Sequence, residues 1–166
     1  MYRNWASDET VTKYLTWAAH KDMEASKGYI TYLLGRYGQP DVYEWCIELK
    51  EIGQPVGSIS VVSADDSVSK FHIGYCIGQP WWQKGITSEA FSAVIRFLME
   101  EVGANRVEAR HDPRNENSGK VMQKCGLSYE GTHKKSDRNN QGVCDAVWYA
   151  ILREEYFARK QAAELI

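Results

Sequence analysis

Ile73-Gly74-Tyr75-Cys76-Ile77-Gly78-Gln79-Pro80-Trp81-Trp82-Gln83-Lys84-Gly85-Ile86-Thr87-Ser88-Glu89-Ala90 passes from one structural period to another. Phe71, Ile73, Tyr75 and Ile77 recur at every second residue, as on one face of a strand. Gly78 and Pro80 break that alternation. After Gly85 the spacing becomes helical: Ala90, Val94, Leu98 and Val102 form one stripe, Phe91 and Ile95 lie beside it, and Gly103 is placed to end the helix. A strand, a glycine turn and an amphipathic helix in this order aim backbone N–H groups at an anion. The first helical turn carries unpaired donors and partial positive charge, and a glycine lets a phosphate approach the chain. A pyrophosphate fits such a turn. No Walker A loop or three-glycine dinucleotide fingerprint occurs, so ATP and NAD are poor matches and coenzyme A is the better one. The turn alone is a weak signal, because many helices open after a glycine and bind nothing.

Before this stretch, the residues read as two helices and a hairpin. One helix runs through Asp8 to Trp17, with Ser7 or Asp8 as cap. A second runs from about Asp22 to Arg36, where Ala25, Tyr29, Tyr32 and Leu33 recur at helical spacing. Tyr43, Trp45, Ile47 and Leu49 then alternate, and Gly53-Gln54-Pro55 turns the chain into Val56 to Ser63. After the stretch come a short strand at Arg106 to His111, a helix from about Asn117 to Cys125 closed by Gly126, strands at Leu127 to Gly131 and Val143 to Leu152 around a polar turn near Asp137 to Gln141, and a terminal helix after Arg153. The class is α+β, a mixed and mostly antiparallel sheet flanked by helices. A right-handed crossover through the central helix sets the third and fourth strands parallel.

The chain of 166 residues, 43% hydrophobic and 25% charged, supports a single domain spanning 1–166. A net charge of −2 gives no basic field, which argues against a nucleic-acid partner. No apolar run approaches the roughly 20 residues of a membrane-spanning helix, so no membrane partner is expected. Cys46, Cys76, Cys125 and Cys144 lack zinc-site spacing, and the opening residues are not signal-like; the expectation is a reduced, cytoplasmic protein without a metal. His111-Asp112 could suggest a metal or hydrolytic pair, but one such pair at a strand end reads as a cap. Cys76 and Cys125 sit in apolar periodic stretches and read as small hydrophobes. Trp81-Trp82 reads as a pair that fills core or pins a loop.

Trp82-Gln83-Lys84-Gly85-Ile86-Thr87-Ser88-Glu89-Ala90 resembles the pyrophosphate loop of the GNAT acetyltransferases. Asn115-Glu116-Asn117-Ser118 with Lys124-Cys125-Gly126-Leu127 is similar to their second signature. Glu130-Gly131-Thr132, Asp145 and Tyr149 resemble the last strands of the ribosomal-protein-alanine (N-terminal) N-acetyltransferase branch, so the likeness runs from about Trp45 onward. The departures are specific. Gln83 stands where a glycine is usual, Thr87 where a glycine or alanine is usual, and Met122 where many members carry a tyrosine acid. The strand that normally precedes the first helix is missing from the pattern, which begins Met1-Tyr2-Arg3-Asn4-Trp5; an unpaired sheet edge invites a homodimer.

The resemblance implies a GNAT fold, acetyl-CoA as cosubstrate, and direct transfer of its acetyl group to a primary amine, most naturally a protein or peptide N-terminal α-amine. It places Cys76 and Ile77 at the pantetheine and acetyl oxygen, where the third and fourth strands splay. Gln83, Lys84, Gly85, Ile86, Thr87 and Ser88 fall at the pyrophosphate, and Asn115 at the pantetheine arm. Ser118 falls at the cofactor thiol as a proton donor and Asp137 at the amine as a base. From the residues themselves, Ser118 reads equally as a first-turn helix serine and Asp137 as a turn aspartate. An α-amine, with a pKa near 8, loses its proton more easily than a lysine, near 10.4, which suits a site whose base is weakly marked. Two alternatives stay open: a small-molecule (antibiotic, polyamine or amino-acid) N-acetyltransferase, and a domain that binds acetyl-CoA without turnover.

Overall fold

The computed structural model describes residues 1–164. The elements are α1 (Glu9–Thr12), α2 (Met23–Arg36), β1 (Glu44–Leu49), β2 (Gln54–Asp65), β3 (Lys70–Ile77), α3 (Ile86–Phe97), β4 (Arg106–His111), α4 (Glu116–Lys124), β5 (Ser128–Asn139), β6 (Gly142–Leu152) and α5 (Arg153–Glu164). The strands form one six-stranded sheet in the order β1-β2-β3-β4-β6-β5. Every pairing is antiparallel except β3 with β4, as the crossover through α3 requires.

The helical stripe read from the sequence is the face of α3 that meets the sheet. Phe91, Val94, Ile95, Leu98 and Met99 are buried against Val56, Ile59, Ile73 and Val107, while Ala90 and Val102 lie at the margin. Burying each of these large side chains contributes roughly 1.5–3 kcal/mol. The last turn widens over Leu98–Val102 and stops at Gly103, whose φ of +83° lets Ala104 N–H reach the Leu98 carbonyl at 2.8 Å.

Two expectations are corrected. The helix expected through Asp8 to Trp17 is only α1, Glu9–Thr12. Asp8 does cap it, accepting from Thr10 N–H at 2.8 Å, but the helix ends at Thr12. The following backbone bonds elsewhere: Asn140 donates its side-chain amide to the carbonyls of Thr12 and Trp17, each at 2.8 Å, and its N–H to the Leu15 carbonyl at 3.1 Å. The second correction concerns the polar turn expected near Asp137 to Gln141. Asp137, Arg138 and Asn139 belong to β5, and only Asn140-Gln141 turns the hairpin. As an exposed edge strand, β5 needs no apolar alternation, and its bulge near Lys135 (φ +50°) shifts the register between His133 and Asp137. Among the described residues no strand precedes Glu44, so β1 and β5 form the sheet edges.

Candidate active site

The parallel pairing of β3 with β4 covers only Lys70 to His72; beyond it the strands diverge. From Ile73 to Ile77 the edge of β3 that faces β4 has no strand partner, so its main-chain groups short of the Ile77 carbonyl make no ladder bond on that side. Trp82 fixes the exit from β3, its indole N–H donating to the Ile77 carbonyl at 2.8 Å, so this tryptophan pins the loop. Gly85, at φ +82°, turns the chain into α3. No side chain caps that helix, and its first bond runs from Glu89 N–H to the Gly85 carbonyl at 3.0 Å. The N–H groups of Ile86, Thr87 and Ser88 lie ahead of that bond, the arrangement that receives a phosphate. Gln83 adopts φ +59°, a conformation suited to the glycine usual at this position.

Two cavities meet between β3 and α4. One, of about 450 Å³, runs from the α3 turn along β3; the other, of about 400 Å³, opens toward α2 and β5. Both are lined by Tyr14, Leu15, Tyr75, Cys76, Asn115 and Ser118, which therefore mark their junction. Asn115 precedes α4 yet makes no capping bond through its side chain, leaving that amide free for a ligand. Ser118, in the first turn of α4, faces Tyr75: the phenol lies 3.0 Å from Ser118 Oγ and 2.9 Å from the Ser118 carbonyl. Burial lifts the Tyr75 pKa well above its ordinary value, against the lowering effect of the Ser118 hydrogen bond, so the phenol keeps its proton. The Tyr75 ring packs on Phe91 at 5.3 Å between centroids.

The wall of the second cavity is built around ion pairs. Asp137 takes a forked pair from Arg110, at 2.6 Å from Nε and 3.1 Å from Nη2, and a third bond from Arg138 N–H at 2.9 Å. Burial opposes ionisation of Asp137, but these donors hold its pKa below the usual value. Asp112, buried at the end of β4, is bound by Arg114 and Asn139, and the Arg114 hydrogen bonds hold its pKa far below the usual range.

His72 lies beside Arg110, whose Nη1 is 2.9 Å from His72 Nε2; because arginine only donates, this nitrogen accepts and the ring is neutral. Burial, reinforced by Arg110 and opposed by Glu108 and Asp137, pulls its pKa down to about 4. Below the unfolded value of about 6.5 the unfolded chain binds the extra proton, so this group's contribution is complete above that pH and is lost as pH falls toward 4. The slope is at most about 1.4 kcal/mol per pH unit. His72→Gln keeps an acceptor for Arg110 and should flatten the fall in stability between these pH values, measured by urea unfolding. An unchanged slope would contradict this assignment.

Of the expected cofactor contacts, Cys76, Ile77, Gln83, Thr87, Asn115 and Ser118 line the first cavity. Lys84, Gly85, Ile86 and Ser88 form the adjoining loop and first helical turn without lining it. Asp137 stands on the wall of the second cavity and does not line the first. Met122, where the usual tyrosine is absent, is fully buried. Tyr75 was missed as a site residue because its place in the strand period gave it a core role; the only signal was a phenol facing the opened strand edge. Among the described residues no group of three or more His, Cys, Asp or Glu could hold a metal ion.

Residues 1–128 match the family model described as the acetyltransferase (GNAT) domain. A Bacillus licheniformis protein, "uncharacterized N-acetyltransferase p20", is 25% identical over 150 residues, 90% of this chain and 84% of its own. The [ribosomal protein uS5]-alanine N-acetyltransferase of Escherichia coli is 36% identical over 63 residues, 38% of this chain and 32% of its own. The crystal structure of a GNAT-family acetyltransferase from Bacillus anthracis superposes with a TM-score of 0.80 at 25% identity, covering 93% of this chain and 90% of that one. With the splayed strands, the uncapped helix turn and this match over most of its length, the chain belongs to the GNAT acetyltransferase family.

Proposed function

We propose that this N-acetyltransferase moves the acetyl group of acetyl-CoA directly to the α-amine of a protein or peptide N-terminus. The observation that carries this reading is the meeting of two cavities at Ser118 and Tyr75, one leading from a phosphate-receiving turn and the other open to a second substrate. The bound cosubstrate supplies an activated thioester. The chain's own residues hold and orient it: the first-turn N–H groups of α3 meet the pyrophosphate, and the open edge of β3 and the Asn115 amide meet the pantetheine.

The amine nitrogen attacks the thioester carbon, a C–N bond forms, the C–S bond breaks, the nitrogen sheds a proton and the sulfur gains one. Ser118 gives the sulfur its proton and regains one from water, and Tyr75 supports the serine oxygen as it does so. Asp137, fully committed to Arg110 and Arg138, shapes the acceptor wall, and the amine proton passes to water. An α-amine has a useful neutral fraction near pH 7.5, because its pKa is about 8. The local likeness to a ribosomal-protein alanine acetyltransferase supports the N-terminal acceptor.

Cys76 takes no covalent part. Burial raises its pKa, against the Ser58 hydrogen bond, so the thiol is protonated and a poor nucleophile. Cys76→Ala should therefore retain turnover within about threefold, followed by thiol release. Loss of all activity in the folded variant would replace direct transfer with an acyl-enzyme. The function itself is tested by calorimetric titration with acetyl-CoA, then by thiol release with short peptides bearing free N-termini and with small amines. Turnover confined to small amines would overturn the N-terminal reading, and failure to bind acetyl-CoA would overturn the enzyme.

A further inference from the structure

Three carboxylates line the acceptor cavity, and two are fully engaged: Asp112 by Arg114 and Asn139, Asp137 by Arg110 and Arg138. The third, Glu44 at the start of β1, receives a single side-chain bond, from the Tyr29 phenol to Oε1, and among the described residues its Oε2 accepts no hydrogen bond. Tyr29 stays protonated, its pKa lifted by burial and by Glu44, so it donates this bond. Tyr37 binds the Glu44 backbone carbonyl, at 2.9 Å, and fixes the strand end. Arg36, in the same cavity, bonds to Tyr32 and Gln39 and forms no ion pair with Glu44. A half-buried carboxylate with one oxygen free thus stands at the side of a cavity that must admit an amine.

The sheet leads from Glu44 to the junction. Across three strands Glu44 pairs with Ser60 and Ser60 with Gly74; in the next row on this face Cys46 pairs with Ser58 and Ser58 with Cys76. Ser58 and Ser60 are small, Val62 packs over Gly74 beside them, and the charge of Glu44 is felt at the Cys76 thiol, whose pKa is raised by burial and further by Glu44. We propose that Glu44 is the carboxylate that recognises the ammonium form of the acceptor, so that the enzyme selects primary amines that arrive as cations. Recognition does not require Glu44 to take the proton. This deepens the reading of the site as an amine acetyltransferase and rests on it.

The test compares two peptides of one sequence, neither of them an acceptor: one with its N-terminus trimethylated, a permanent cation, and one with it acetylated and neutral. Calorimetry in the presence of coenzyme A should show the wild type binding the cation about tenfold more tightly, through charge attraction to a half-buried carboxylate, since a trimethylammonium donates no hydrogen bond. Glu44→Gln, which keeps the shape and the Tyr29 bond, should abolish that preference and raise KM for a free-amine peptide by a similar factor, leaving acetyl-CoA affinity unchanged. A preference that survives in Glu44→Gln, or is absent from the wild type, overturns the proposal. If neither peptide binds but small amines turn over, the N-terminal reading has failed, and Glu44 is judged by the same comparison on a trimethylammonium and an acetamide analogue of the small amine.

Discussion

Gly85→Val is expected to weaken acetyl-CoA binding by at least about 100-fold in a protein that still folds. Gly85 holds φ +82° at the entry to α3, where a β-branched side chain is a severe outlier costing about 1–3 kcal/mol. To escape, the turn must rotate, and rotation swings away the N–H groups of Ile86, Thr87 and Ser88 on which the pyrophosphate depends. Space is not the cause, because a Cβ at position 85 would come no closer than 3.7 Å to Lys124 Nζ, an ordinary contact. Gly85→Ala, which fits the space and strains the backbone less, should lie between the wild type and the valine variant. Calorimetric titration with acetyl-CoA reads both, with circular dichroism as the check on folding. Affinity within threefold of wild type in Gly85→Val would remove the turn from the binding site.

The same turn shows how far the sequence could be read. The change from a period of two to a helical period between Ile73 and Ala90, with a glycine between, located β3, α3 and the anion-facing turn, because each depends on local alternation and on one backbone conformation. Gln83 stood out as a departure from glycine, but its left-handed backbone is visible only in the fold. Less legible were the features made by distant partners. The Asp8 to Trp17 segment carries a valid cap and fails as a helix because Asn140, far along the chain, takes its carbonyls. The strand β5 has no apolar alternation because an edge exposed on both faces has no reason to encode one. Asp137 looked like a free turn carboxylate until β4 brought Arg110 to it. Glu44 and Tyr75 show the same limit: residues that read as strand positions become site residues only when a neighbouring strand splays or leaves an oxygen unpaired.

The Ser118 and Tyr75 pair gives the second large effect. Ser118→Ala should lower kcat about 100-fold in a protein that still binds acetyl-CoA, the low end of general-acid effects, because a thiol leaving group with a pKa of about 8.5 asks little of its acid. Tyr75→Phe should lower kcat about tenfold, since the ring remains packed on Phe91 and only the hydroxyl is lost. The two effects are coupled by the hydrogen-bond inventory. The Ser118 carbonyl can only accept; while Tyr75 donates to it, the serine proton is held on the phenol oxygen, and when the phenol turns its proton to Ser118 Oγ the serine proton is free to leave toward the cavity. Tyr75 thus acts through Ser118, and in a Ser118→Ala background Tyr75→Phe should change kcat by less than twofold, a non-additivity that simple loss of packing would not produce. Full additivity in the double variant, with each single variant folded and binding acetyl-CoA normally, would separate the two residues and leave Tyr75 as a buried strand residue of the core.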